Sequence, residues 1–349
     1  MAFIFNKEMV AKQGIAARRQ WDEVDTRRQY ANRKNDVIQT MAGLEVNVGR
    51  IPQDVYRDFD AQTKSLMTGD EGGVLLDALL PLARSVDIGK ITSEYRRVGD
   101  GMIARSSISG QHSKPIDHVS YDYDGTVIPI HDSGFGREWR EFQAMQSEGF
   151  SPIVDDQAAA TRAVRRKVLD NFVNGDPTLS FKGIQSYGIK NAPGTASLNL
   201  GAGGLNVDLT SPSTTFASMQ SVILAAATLM QGRANNVERD LDFFISPEIW
   251  FNLARTGTND TRFASYLEGL QRLPGVASIR RTNVLVGNQF MALALDRQYI
   301  QPVVGMAIST IPMTRQDYFS DYNWITWMAA GIVIKRDAAG RSGVLYAAG

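Results

Sequence analysis

Apolar side chains are spread unevenly along this chain, and that unevenness limits how it can fold more than any other feature. Residues 1–62 are polar and charged: Arg18-Arg19, Arg27-Arg28 and Arg33-Lys34 alternate with Asp22, Glu23, Asp25 and Asp36. Opposite charges at near-helical spacing predict a solvated helix. Ile15, Trp21, Val24, Tyr30, Val37, Ile38 and Met41 are too sparse to close a core, so the segment reads as an extended arm that packs on something else. Residues 94–135 are similar. Short strand-forming runs, 97–105 and 119–131, flank a tip of Ser, Gly, Gln, Lys and Pro, and predict a long two-stranded hairpin. A lone hairpin is marginal in water. Its stability has to come from a neighbour, and in an assembly the neighbour is another copy.

The rest of the chain supplies ordinary core-forming elements. Residues 72–91 hold an apolar stretch with partial helical spacing, interrupted by Pro81, that joins arm to body. The clearest helix is 151–173, with Ser151 as N-cap, Pro152 at the first helical position, Asp155 and Asp156 in the first turns and Gly175 past the end. Ala160, Val164, Val168 and Phe172 recur every four residues as one apolar stripe. Gly, Asn, Pro, Ser and Thr dominate 175–212, which reads as loop or small hairpin and as the main internal boundary. A second amphipathic helix follows, capped by Ser213 or Thr214, with Phe216, Met219, Ile223, Ala227 and Met230 on one face and Gly232 as terminator. Residues 241–246 read as a buried strand leading into a helix opened by Ser246-Pro247-Glu248. Strands are then expected at 276–281, 283–286, 289–295, 300–308 and 323–335, with a turn at Gly287-Asn288. Helices mixed with a sheet-rich C-terminal third make the fold class α+β.

Composition narrows function. Lys plus Arg and Asp plus Glu both total 37, so the formal net charge is zero and the pI about 6.9. A general DNA clamp would carry a basic excess; neutrality suits a container wall. The absence of cysteine excludes disulfides, thiolate nucleophiles and cysteine-ligated metals. The first residues lack a secretory pattern and no run approaches the roughly 18 apolar residues of a membrane span, which predicts a cytoplasm-like setting.

Chemistry-bearing residues fall into no recognisable constellation. His112, His118 and His131, with Asp117 and Asp132 beside two of them, all lie in the proposed hairpin, but nothing in their spacing makes them converge on a metal. They read as polar hairpin surface. No Gly-x-Ser-x-Gly elbow is present, and Asp155-Asp156 fit the helix dipole better than acid–base work. Residues 69–73 and 201–204 are Gly-rich without matching a phosphate-binding loop. Tyr121, Tyr123, Trp139 and Phe142, and later Tyr318, Phe319, Tyr322, Trp324 and Trp327, form aromatic clusters that suit either a core or an interface. No catalytic, cofactor-binding or metal residue is assigned, no cofactor is expected, and the protein is not read as an enzyme.

The order of elements, charged arm, long hairpin, spine-like helix, Gly/Pro-rich break and mixed domain ending in a strand, resembles the Hong Kong 97-like major capsid proteins of tailed phages. Local phrases agree. Residues 241–253 (Leu-Asp-Phe-Phe-Ile-Ser-Pro-Glu-Ile-Trp-Phe-Asn-Leu) are similar to the coat-protein strand and Ser-Pro-capped helix, and Phe181-Lys182-Gly183-Ile184 through Asn191-Ala192-Pro193-Gly194 to the loop after the spine helix. The resemblance implies an N-terminal arm at 1–62, a connector at 63–93, an extended hairpin loop at 94–140, and a peripheral domain at 141–212 with its spine helix at 151–174. An axial domain at 213–310 and C-terminal strands at 311–349 returning to the peripheral domain complete it. It further implies self-assembly into pentamers and hexamers of an icosahedral shell around double-stranded DNA, made in a bacterial cytoplasm and located in the virion. Scaffolding, portal and decoration proteins are the implied partners, with only weak contact to DNA and none to membrane. Shell expansion in the family needs hinges, for which Gly99, Gly101, Gly125, Gly134 and Gly136 are candidates. Some members cross-link a Lys of the hairpin loop to a neighbour's Asn; Lys114 lies in that region, but no partner Asn or activating acid matches here. Three alternatives stay open: an encapsulin-type nanocompartment shell, a cytoplasmic hydrolase using the His/Asp hairpin, and a tail or connector component.

Overall fold

The structure is a computed structural model that describes residues 14–46, 73–101, 106, 108, 118–148, 153–256 and 265–349. The chain divides into two compact units, Met1–Met67 and Thr68–Gly349. In the first unit α1 (Gly14–Val46) runs for 33 residues. Its side chains between Asp22 and Asp36 are exposed except for half-buried Asp25, as the charge pattern requires. Arg27 pairs with Glu23 at 2.9 Å and Gln29 donates to Asp25 at 3.0 Å, one turn apart in each case.

The second unit is built on two main sheets, beside two short two-stranded pairings. In the five-stranded sheet the order is β7 (Ala196–Asn199), β13 (Val344–Ala348), β10 (Gln289–Leu293), β8 (Leu241–Ile245) and β9 (Val276–Arg281). Its centre is antiparallel, while both edge strands run parallel to their neighbours. Side chains alternate across a strand, and here both faces are covered. Phe243, Ile245, Phe290, Ala292 and Leu345 pack beneath α5 (Phe216–Gln231). Phe244, Met291, Leu293 and Val344 instead join α2 (Gly73–Leu79) and α4 (Ile153–Asn174) in a second core. Two-sided burial explains why β8 is a continuous apolar run without polar alternation.

The other sheet has the order β1 (Arg84–Ser85), β11 (Ile300–Pro312), β12 (Tyr322–Ile334) and β4 (Ile130–Arg137). The helix α4 lies against β4 and β12. Ala160, Val164, Val168 and Phe172, the stripe read from the sequence, are all buried there. Ser151 and Pro152, expected to open this helix, lie outside the described residues.

Several expectations are corrected. Among the described residues of 94–140, hairpin pairing joins β2 (Thr92–Val98) to β3 (Tyr121–Val127), whereas β4 belongs to the four-stranded sheet. Residues 283–286 form a turn and a short irregular stretch in place of a strand, with Leu285 buried in the second core. The cap of α5 is Thr215, whose hydroxyl accepts from the Ser218 amide, and not Ser213 or Thr214. Residues 72–91 make only one short helix before Pro81 tightens the chain into a 3-10 turn (Leu80–Leu82), after which β1 joins β11. The short helices α3 (Trp139–Glu148) and α7 (Tyr266–Gln271) were not read from the sequence. The expected helix at Ser246-Pro247 is α6 (Pro247–Leu253), with Ser246 accepting from the Ile249 amide.

Candidate assembly surfaces at the hairpin root and the sheet tip

The hairpin of β2 and β3 pairs Ser93 with Thr126, Tyr95 with Asp124 and Arg97 with Asp122. Alternation places Tyr95, Arg97, Asp122 and Asp124 on one face and Arg96, Val98, Tyr121 and Tyr123 on the other. The first face is held by the body. Arg336 Nε donates to Asp124 Oδ2 at 2.6 Å, and the Arg336 amide donates to the Tyr95 hydroxyl at 2.8 Å. Burial is the main cause that raises the Tyr95 phenol above its ordinary value. Arg97 adds an ion pair to Asp122 and a longer one, 3.9 Å, to Asp124. The Tyr123 amide, followed by Arg97, holds the Asp122 carboxyl below its ordinary value. The opposite face stays in solvent: Val98, Tyr121 and Tyr123 are each more than half exposed, and the Arg96 guanidinium lies 5.0 Å from the Tyr121 ring centre.

Below the hairpin the chain dives into the body. Val127 and Ile128 are buried, and the Ile128 amide donates to the Ile91 carbonyl at 2.8 Å. Gly331 of β12 makes this approach possible, since a Cβ there would sit 2.6 Å from the Val127 carbonyl oxygen. Gly125, read from the sequence as a hinge, has a similar role: its Cβ would fall 2.4 Å from the Ser93 carbonyl, and its backbone is not left-handed. The tip residues His112, Lys114 and Asp117 lie outside the described residues.

A second surface forms where β11 turns into β12. Phe142 of α3 stacks on Tyr322 with ring centres 4.1 Å apart, and Phe135 of β4 stacks on Trp324 at 5.5 Å. Trp139 lies edge-on to Phe319 at 5.1 Å. Arg137 fixes this end by pairing with Glu141 at 2.9 Å and Asp156 at 2.7 Å, so Asp156 serves as a tie between β4 and α4. The aromatic residues therefore divide by role: Tyr322 and Trp324 pack internally, while Tyr318 and Phe319 project into solvent over an open hollow of about 480 Å³.

The histidines are not gathered into a site. His131, expected on the hairpin surface, is on β4 and only 6 % exposed. Burial, followed by the charge of Lys167, holds its imidazole below the ordinary value, and its Nε2 is buried without a hydrogen-bond partner. The sequence carries no signal for this, since apolar Ile130 next to it is the exposed residue. His118 and Asp132 are exposed. Among the described residues, no group of three or more His, Asp or Glu could hold a metal ion, and no helix is long and apolar enough to cross a membrane.

The profile of the family described as "Family of unknown function (DUF6260)" matches residues 40–347. The chain belongs to that family. No curated protein matches it. Among solved structures, the DUF6260 chain is similar to the capsid of Myoviridae phage XM1, with TM-score 0.61 and 13% identity over 86% of this chain and 98% of that one. A Mycobacterium phage Che8 structure gives TM-score 0.53 at 14% identity over 83% and 96%. A virus-like particle from Pyrococcus furiosus gives 0.51 at 13% identity over 78% and 92%. At such identities the likeness speaks for the fold, and the DUF6260 chain has the Hong Kong 97-like, tailed-phage capsid fold.

Proposed function

We propose that this protein is the major capsid protein of a tailed bacteriophage, a structural subunit and not a catalyst, which assembles into pentamers and hexamers around double-stranded DNA. The fold likeness to the XM1 capsid, over 86% of this chain and 98% of that one, carries the reading. The half-exposed apolar face of the hairpin, with its other face pinned to the body, supports it: that face gains burial only against a further molecule. In this reading the β2–β3 hairpin overlaps a neighbouring subunit, the four-stranded sheet with α4 forms the peripheral domain around its spine helix, and the five-stranded sheet with α5 surrounds the capsomer axes. With zero net charge the wall touches DNA weakly and without sequence preference. Scaffold, portal and decoration proteins are the expected partners, and assembly takes place in the host cytoplasm.

Expression of the full chain, followed by sedimentation and electron microscopy, tests this. Closed megadalton shells are the expected result, and a monodisperse single chain overturns it. The likeness to the Pyrococcus furiosus virus-like particle favours one second reading, an encapsulin-type compartment. Particle size and contents decide between the two, because DNA indicates a phage coat and a protein cargo indicates a compartment.

A further inference from the structure

We propose that the aromatic tip between β11 and β12 is a self-complementary contact that seats the same tip of a second copy of this chain. The proposal rests on the shell reading and assigns a site within it.

The display at the tip is built. The Asp317 amide donates to Ser320 Oγ at 3.0 Å, and the Ser320 amide donates back to the Asp317 carbonyl at 3.1 Å. Arg315 Nε donates to the Ser320 carbonyl at 2.9 Å and another guanidinium nitrogen donates to the Tyr318 carbonyl. The guanidinium itself lies 3.9 Å from the centre of the Tyr322 ring. A loop fixed in this way holds Tyr318 71% and Phe319 66% exposed, with the two rings edge-on at 5.4 Å and Trp139 behind them. Nearby Met313 is 49% exposed. Rigid aromatics lose little conformational freedom on binding, which is why such residues anchor interfaces.

Charge selects the occupant. Arg140, on the helix that carries Trp139, is exposed, with its guanidinium 5.7 Å from that ring. Asp317 and Asp321 are exposed on the loop. One patch thus has an apolar centre and both signs at its rim. A nucleic acid would meet the two carboxylates, and a uniformly basic or acidic partner would match only part of the rim. A symmetric copy presents Arg140 to the carboxylates and the carboxylates to Arg140 while burying ring on ring, as a closed symmetric contact demands.

The absence of cysteine makes the test direct. Phe319→Cys and, separately, Tyr318→Cys each give the full chain a lone thiol, so a short bismaleimide can join only two copies. Assembled wild-type-like particles of either variant should convert mainly to covalent dimers on a denaturing gel, while Leu205→Cys, 39% exposed in a distant stretch of sequence, stays single. Absence of dimers from both tip variants, or equal dimer formation by Leu205→Cys, overturns the proposal. In a second arm, Tyr318→Ser/Phe319→Ser should lower shell yield at least tenfold while the thermal midpoint of the unassembled subunit stays within a few degrees. Wild-type shell yield from that double variant overturns the proposal, including the case in which its shells lose only a bound second protein. Wild-type protein that never exceeds single-chain mass defeats the shell reading itself, whereas normal wild-type shells without tip cross-links defeat the tip contact alone.

Discussion

Asp124 and Arg336 are separated by 212 residues, yet Nε of the arginine donates to the carboxylate across 2.6 Å and so fixes the root of the hairpin to the end of β12. Both side chains are only about a quarter exposed or less, so solvent weakens the pair less than it would a surface one.

Asp124→Asn keeps the shape and removes the charge. The expected loss is about 1.5–3 kcal/mol, the range for hydrogen bonds to charged groups. Amide exchange should quicken in 92–98 and 121–127 and remain slow in β8 and β10. Unchanged exchange in both hairpin strands would mean that the ion pair does not hold the root.

His131 gives the fold a pH response. Its imidazole is held below the ordinary value of 6.5 by burial first and by Lys167 second, with Asp132, Asp170 and Asp176 opposing. The unfolded chain therefore takes up this proton before the folded one does. Stability from this site is complete above pH 6.5 and falls as pH drops through 6.5 towards the lower folded value. Asp122, Asp176, Asp208 and Asp296, all held below 3.8, lose their contributions in a separate, more acidic window. Urea midpoints at pH 7.5 and 5.5 should differ in the wild type and converge in His131→Met; equal pH sensitivity in both proteins refutes this.

Gly331→Ala places a methyl group 2.6 Å from the Val127 carbonyl, where backbone must move. A destabilisation of about 1–3 kcal/mol is expected, typical of overpacking. Gly134→Ala in the same sheet has its nearest neighbour at 3.8 Å and serves as the tolerated control. Chemical denaturation of the pair measures the difference, and equal midpoints would contradict the close approach.

Thr215→Ala removes the oxygen that accepts the Ser218 amide at the start of α5, and should cost about 1 kcal/mol. Ser213→Ala should cost much less. A reversed order in thermal unfolding would return the cap to the position expected from sequence.

The sequence by itself determined the elements with strong periodicity and clear ends: the polar arm helix, the stripe from Ala160 to Phe172, the Ser246-Pro247 helix start and the buried run of β8. These depend on local chemistry, on spacing of apolar residues and on caps, which act over a few positions. The polar character of the hairpin was legible for the same reason, and so was the resemblance in element order.

Tertiary structure alone decided what depends on pairing distant residues. His131 is buried because β4 docks on β12 beneath α4, a choice between partners that alternation does not specify. Asp124 finds Arg336, and Gly331 makes room for Val127, only once the chain has crossed over itself. The aromatic residues divide into a packed group and an exposed pair in a β11–β12 loop that Arg315 ties through the Tyr318 and Ser320 carbonyls. A side chain's identity fixes what it can bury or bind, but which of its chances it takes is set by what long-range folding brings within a few ångströms of it.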